Sequence, residues 1–342
     1  MDVRTAADDR PLWDLHFTAF VVPAISVALE LGLFEYLSKE PRISAAVAEH
    51  FRLNERGTRA LLAVLASNGL LTQKGGVYAP SEIASSYLVP DSEYYWGPVF
   101  DVMRMAPISH DGLKTALTAR EEEIEKGMPT GGPADNWAGG NIDEATARMI
   151  ATYMQANSLT AASVAAERLD AAGITKLLDV GGGSGCFSIA FARAHATMRC
   201  GVMDLQAMCD VAMEYVREAG LEDRVTAEPC DMFRQDWPNG HDAVFMSNIF
   251  HDWNVDTCRT LVRKAFDILP SGGKIVLHEA LFNDSYDGPA TVAAFSLYML
   301  IGTKGQQFTF DELKSILEDA GFESVMARPA HAYHFLISAE KP

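Results

Sequence analysis

Through the second half of the chain, short and mostly apolar runs alternate with amphipathic stretches. Lys176–Val180, Cys200–Asp204, Val225–Glu228, Ala243–Asn248 and Lys274–Glu279 have the length of strands, and their apolar content suits strands buried on both faces. The stretches between them have helical apolar spacing, so the pattern predicts repeated βαβ units and a doubly wound, Rossmann-like α/β sheet with ligands at the strand C-terminal ends. A last pair of runs, Ser324–Ala327 and Tyr333–Ala339, has no helical stretch between them and reads as an antiparallel hairpin.

The first half is helical in pattern. Residues 11–38 carry apolar residues around every turn, as in a helix sandwiched between other elements, often between subunits; Pro23 breaks or starts a helix there. Ile43–Phe51 and Asn54–Ser67 form two further amphipathic stretches, the second stopping at Asn68-Gly69. Leu70–Thr72 and Val77-Tyr78 flank Lys74-Gly75-Gly76 as a small hairpin. Helices followed by a hairpin make a winged-helix pattern. Residues 81–126 read as helical, 127–141 as a Gly/Pro-rich loop and 143–169 as one long helix that puts Ile150, Tyr153, Met154, Asn157 and Ser158 on one side. The expected division is a helical winged-helix domain over 1–165 and a ligand-binding domain over 166–342.

Charge narrows the partners. A net charge of −18 over 342 residues repels the phosphates of nucleic acid and of anionic membranes, and only Arg56 and Arg59 would sit on the second helix of the winged pair. A structural and dimerising role is therefore expected for that domain. No uninterrupted apolar run reaches the roughly 18 residues of a membrane span, and the charged start MDVRTAADDR is unlike a signal peptide. Five cysteines without CxxC spacing read as reduced, mostly buried thiols, which points to a cytoplasmic protein; no metal site is expected.

The chemistry centres on LLDVGGGSG. An apolar run holding Asp179 leads into Gly181, Gly183 and Gly185 and then into helical spacing, so a strand, a tight turn and a helix are expected. No Gly-Lys-Ser/Thr follows, as a phosphate loop requires, and Cys186 stands where the dinucleotide pattern needs a small residue. Asp204, ending the second run, can accept both hydroxyls of a ribose. Asp231-Met232, after the third run, can offer a carboxylate to an exocyclic amine and a thioether to a ring face. After the fourth run comes SNIFHDW, whose His251 has the near-neutral pKa of a general base. Glu279, at the end of the fifth, can fix its tautomer, while His278 points the other way by strand alternation. His331 and His334 are expected outside this arrangement.

In order, LLDVGGGSG, GVMDL, CDMF, NIFHDW and IVLHEALF, preceded by a winged-helix half, resemble the caffeic acid/acetylserotonin-type family of class I S-adenosylmethionine-dependent methyltransferases across nearly the whole chain. The resemblance implies that Asp179, Gly181, Gly183 and Gly185 hold the methionine part of the cofactor. It implies that Asp204, with Leu205 beside it, holds the ribose, and that Asp231 and Met232 hold the adenine. His251 matches the family's base and Glu279 one of its two supporting acids. Plant members have a lysine where Ser247 stands, which puts a cofactor role for Ser247 in question. They have a second glutamate where Gln307 stands, and a neutral amide stabilises an imidazolium less. A homodimer joined by the N-terminal domain is implied too.

The expected reaction is O-methylation of a small hydroxylated molecule, with S-adenosylhomocysteine as the second product. Its pocket is expected to draw on Tyr153, Met154 and Asn157 and, from the far side, Tyr298, Met299 and Gln307. S-methylation of a small thioether acid is the nearest competing reaction. The same motifs are compatible with C- or N-methylation, with cofactor binding that transfers no methyl, and with a winged-helix regulator that senses the cofactor.

Overall fold

The strands form where the apolar runs place them, and their burial explains why they are apolar. The computed structural model describes residues 7–105, 108–128, 134–140 and 142–342, and the chain divides into two compact units, Met1–Pro107 and Ile108–Pro342.

In the second unit, β1 (Lys176–Val180), β2 (Arg199–Asp204), β3 (Val225–Pro229), β4 (Ala243–Ser247) and β5 (Lys274–Phe282) are parallel. β6 (Glu323–Pro329) and β7 (His334–Glu340) form the expected antiparallel hairpin, and β7 pairs antiparallel with β5. The order across the sheet is β6-β7-β5-β4-β1-β2-β3, with a two-residue strand, Phe308–Thr309, beside the end of β5. The chain leaves β1 towards β2 and β3 and returns to β4 on the other side. A crevice for a ligand therefore opens at the C-terminal ends of β1 and β4. Residues of β1, β2, β4 and β5 are almost all buried, as expected for strands covered on both faces. β6 lies at the edge and is largely exposed.

The helices of this unit begin at recognisable caps. Asp143 accepts from Thr146 N at the start of α1 (Glu144–Arg168), and Asn254 from Thr257 N at the start of a helix over Val255–Ile268. The buried side of α1 is made of alanines, including Ala147, Ala151, Ala162, Ala165 and Ala166. Small side chains let it lie close to α2 (Cys186–Ala194) and α3 (Gln206–Glu218), against which it packs. This packing corrects the expected boundary at 165/166: α1 belongs to the sheet-bearing unit, and the division falls at Pro107/Ile108. In place of one helical stretch over 81–126 there are helices over Glu82–Tyr87, Gly97–Met105, His110–Thr118 and Glu121–Lys126. The loop expected over 127–141 contains a short helix, Ala134–Gly139; residues 129–133 and 141 lie outside the described residues.

One face of the sheet holds Phe245, fully buried against Phe187 at 5.2 Å and Phe191 at 4.9 Å between ring centres. Phe245→Ala is expected to destabilise the protein by about 3–5 kcal/mol, from lost transfer energy and an unfilled cavity. Chemical denaturation checks this; a change under about 1 kcal/mol would mean that the core collapses around the gap.

The first unit has helices over Arg10–Thr18, Val21–Glu30, Leu33–Lys39, Ser44–Phe51 and Glu55–Ser67, then a hairpin of Leu71–Lys74 and Val77–Pro80. Its two-residue turn takes Gly75 and Gly76 at φ 59° and 83°, a double left-handed turn that glycine allows at little cost. Pro23 sits in the first turn of its helix, where a missing N–H costs nothing. Leu12, Trp13, Leu15, Phe17 and Phe20 are exposed. The run Arg10–Glu30 is long and apolar enough, by length and composition, to cross a membrane. Counting uninterrupted apolar residues does not find it, because Asp14 and His16 break the run without making it polar on average.

Candidate active site

Two turns face each other across the crevice, one after β1 and one after β4. The first is built from glycines because its backbone is left-handed: Gly181, Gly183 and Gly185 have φ of 66°, 57° and 74°. A Cβ on Gly181 would lie 2.4 Å from Ile249 Cδ1, and one on Gly183 would lie 2.7 Å from Met154 Sδ. The left-handed backbone favours glycine at both places, and a side chain there would also crowd Ile249 and Met154. Gly183 N donates to Asp204 Oδ2 (3.0 Å) and Leu205 N to Asp204 Oδ1 (2.7 Å). Each carboxylate oxygen keeps a lone pair for a hydroxyl donor. Burial pushes Asp204 up to about 6, the two amides holding it lower than burial alone would.

Asp179 lies beneath the turn. It is 1% exposed, accepts from Ser188 Oγ (2.7 Å) and is pushed up to about 7 by burial. Its bond to Ser188 ties β1 to α2. Ser184 Oγ donates to Gln155 Oε1 (2.8 Å), fixing the same turn to α1. No sequence motif marks Gln155; it lies on α1 one residue after Met154.

After β3, Asp231 serves its own turn. Its Oδ1 accepts from Phe233 N and Arg234 N, and Arg234 Nη1 is 2.6 Å from Oδ2. Burial pushes this carboxyl up, but the Arg234 guanidinium and the two amides outweigh it, so it sits below the usual range. The carboxylate expected to be open to an amine is already paired with a guanidinium. Met232 is held through its carbonyl, which accepts from Trp237 Nε1 and Lys264 Nζ, both at 2.9 Å.

The turn after β4 carries His251 on one helical turn, Phe250–Asp252. The ring is 5% exposed, and its Nδ1 lies 3.2 Å from Glu279 Oε2. At that distance the carboxylate favours a proton on Nδ1, although the two atoms are not aligned for a full hydrogen bond. Glu279 Oε1 accepts from Ile249 N (3.0 Å) and Phe250 N (2.8 Å), so the acid is clamped to the turn that carries the histidine. On the other side His251 Nε2 is 3.7 Å from Asp252 Oδ1, and the Phe295 ring stands edge-on at 5.1 Å. Burial alone would lower the pKa of His251; the charges of Glu279 and Asp252 outweigh it and hold the pKa above its ordinary value. Asp252 is pushed up to about 7 by burial, opposed by His251. Sequence reasoning misses Asp252, although it is the middle residue of the HDW triplet.

Of the pocket candidates, Tyr153 is pushed up to about 12, chiefly by burial, then by Tyr298, with Asn157 bonding it and Asp252 near. Tyr298 is raised by burial and by Asp252. The structure thus brings Tyr153, Asn157, Tyr298 and Asp252 together. Met154 faces the glycine turn, and Met299 is buried in its helix packing. A side chain on Gly305 would strike the backbone of His251 and Trp253, so residues 303–307 lie against the histidine turn. Gln307 follows; its backbone N–H donates to Ser296 Oγ (3.2 Å), and its side-chain amide is 1% exposed with neither atom hydrogen-bonded.

His278 points away from Glu279, as alternation requires, and bonds Ser247 Oγ through Nδ1 (2.9 Å). Ser247 is therefore engaged with a histidine. His334 lies with His278 on the face away from Glu279: its ring stacks on His278 (4.7 Å, 11°), and its Nε2 is 3.0 Å from Asn248 Oδ1. Sequence alternation could not find this contact, because it joins strands far apart in the chain.

Residues 113–323 match the O-methyltransferase domain family and residues 13–90 the O-methyltransferase dimerisation domain. The chain is 33% identical over 316 residues to a 3-hydroxy-5-methyl-1-naphthoate 3-O-methyltransferase from Streptomyces sahachiroi, covering 92% of this chain and 89% of that protein. It is 27% identical over 312 residues to an L-tyrosine C(3)-methyltransferase from Streptomyces lavendulae, covering 90% and 84%. Its fold matches the crystal structure of human N-acetylserotonin methyltransferase in complex with SAM, with a TM-score of 0.81, 23% identity, and coverage of 100% of this chain and 99% of that one.

Proposed function

Because the chain belongs to the O-methyltransferase family, whose members use S-adenosylmethionine, we propose that it methylates a hydroxyl oxygen of a small aromatic molecule with His251 as general base. The observation that carries this reading is the His251–Glu279 pair at 3.2 Å, set on a turn across the crevice from the left-handed glycine turn. When bound, the cofactor supplies an electrophilic methyl on a sulfonium.

The protein's share is alignment and proton removal. The bare backbone of Gly181 and Gly183 would face the methionine part, Asp204 would accept from the ribose hydroxyls, and the Met232 loop would lie against the adenine. His251 would take the acceptor's proton at Nε2, and Glu279, facing Nδ1, would stabilise the imidazolium that forms. Tyr153, Phe295 and Tyr298 offer aromatic surface, and Asp252 and Gln307 offer polar partners. The exposed apolar face of the first helices, within the part that matches the dimerisation domain, supports a homodimer.

Oxygen is favoured over sulfur because a thioether has no proton to lose, so the buried His–Glu pair would be idle. Purified protein with methyl-labelled S-adenosylmethionine should methylate at least one member of a panel of naphthols, hydroxynaphthoates, hydroxyindoles and catechols at oxygen. Label on a thioether acid, or on ring carbon, with none on oxygen would replace this reading.

A further inference from the structure

On the face of β5 opposite Glu279, the buried ring of His278 packs against Phe187 and Phe245, and the half-buried ring of His334 stacks on it. The reaction proposed above uses neither ring. Both reach the same short bend: His278 bonds Ser247 Oγ, and His334 Nε2 meets Asn248 Oδ1 at 3.0 Å. Asn248 is held left-handed, φ 54°, with its N–H on the carbonyl of His278 (3.0 Å). The next two amides, those of Ile249 and Phe250, are the two that hold Glu279 Oε1, and His251 follows them. The bend Ser247–Phe250 is therefore gripped from both faces of the sheet, by the stacked histidines behind and by Glu279 in front.

We infer that His334, with His278 stacked on it, is a positioning residue for His251: its bond to Asn248 holds the bend that presents two amides to Glu279, and Glu279 in turn sets the tautomer and basicity of His251. An asparagine is suited to this place because it tolerates the left-handed backbone and still offers an oxygen to a partner. His278 is fully buried and His334 partly so, which disfavours their charged forms; desolvation pushes His334 down to about 4, so at neutral pH its ring is neutral and donates to the Asn248 oxygen through Nε2–H. A neutral ring pair can stack and hold a neutral amide without adding positive charge behind His251. Residues facing His251 directly remain Glu279, Asp252 and Phe295.

The catalytic meaning rests on His251 being the base, so the test reads His251 itself. Asn248→Gly keeps the left-handed backbone and removes only the side-chain tether; His334→Leu removes the tether from the other end; His334→Gln restores a donor. Nitrogen-15 histidine spectra of the full-length protein saturated with S-adenosylhomocysteine, with His251 assigned through His251→Gln, give its pKa and tautomer. In the wild type, the Nδ1–H tautomer and a pKa above about 6.5 are expected. Asn248→Gly and His334→Leu should lower that pKa by about half a unit or more, a loss of about threefold in proton affinity, and mix the tautomers. Cofactor-product affinity should stay within about threefold in both variants. His334→Gln should recover most of the shift. Wild-type pKa and tautomer in folded, ligand-binding Asn248→Gly would overturn the inference, and this variant decides if His334→Leu does not fold. Methyl transfer to 3-hydroxy-1-naphthoate, measured beside the spectra, separates the two ideas. Undiminished transfer by His251→Ala removes the base reading, while the spectra still judge the clamp.

Discussion

His251→Ala is expected to lower kcat for O-methyl transfer about 10³-fold, within the range a positioned general base supplies. It should leave affinity for S-adenosylhomocysteine within about threefold, because the residues placed for the cofactor lie on the glycine turn and the ends of β2 and β3. The pH profile carries the sign. A base must be unprotonated, and the charges of Glu279 and Asp252 hold the proton on His251 above its ordinary pKa. So kcat/KM should rise tenfold per pH unit on the acid side and level off at a midpoint above about 6.5. Removing the charge of a neighbour by Asp252→Asn should move that midpoint down, since one of the groups favouring imidazolium is gone. Retention of more than a tenth of wild-type kcat by His251→Ala, with a flat profile, would sink the role of base and favour an acceptor that needs no deprotonation.

Asp204→Ala should weaken S-adenosylhomocysteine binding about 100-fold, or about 2.7 kcal/mol, with kcat at saturating S-adenosylmethionine little changed. Two effects combine: the ribose loses its acceptor, and the amides of Gly183 and Leu205 lose theirs, which loosens the turn itself. Asp204→Asn keeps the shape and should cost less, about tenfold. The wild-type affinity should also depend on pH. With no ligand, burial holds this carboxyl at about 6, while hydroxyl donors favour the ionised form. Below about pH 6 the group must give up its proton before it can bind, so affinity should fall by up to tenfold per unit of acidification. Calorimetric titration across that range checks both points. An Asp204→Ala affinity within threefold of wild type would take the ribose away from this residue.

What was legible in the chain followed from local rules. Strands buried on both faces must be apolar, so β1, β2, β4 and β5 were readable to within a residue or a few of their observed ends. A left-handed turn next to a ligand must be glycine, so Gly181, Gly183 and Gly185 declared themselves. Strand alternation placed Glu279 and His278 on opposite faces. Long-range packing was not legible. The alanines of α1 look neutral in sequence, yet they decide that α1 lies on α2 and α3 and so move the domain boundary to Pro107/Ile108.

Side-chain partnerships belonged to the same hidden class. Asp231 is committed to Arg234 three residues on, a contact that its motif does not announce. Asp252 gains its meaning only where Tyr153 and Tyr298, about a hundred and about fifty residues away in sequence, come near it. His334 reaches Asn248 across 86 residues of chain because β7 folds back antiparallel on β5. The sequence alone determined the fold class, the glycine turn, the acid at the end of β2 and a histidine beyond β4, because each is dictated by a backbone conformation or a strand period. Only the tertiary structure decided which polar groups meet, because burial obliges each to find a partner and the nearest one in space is set by the order of strands.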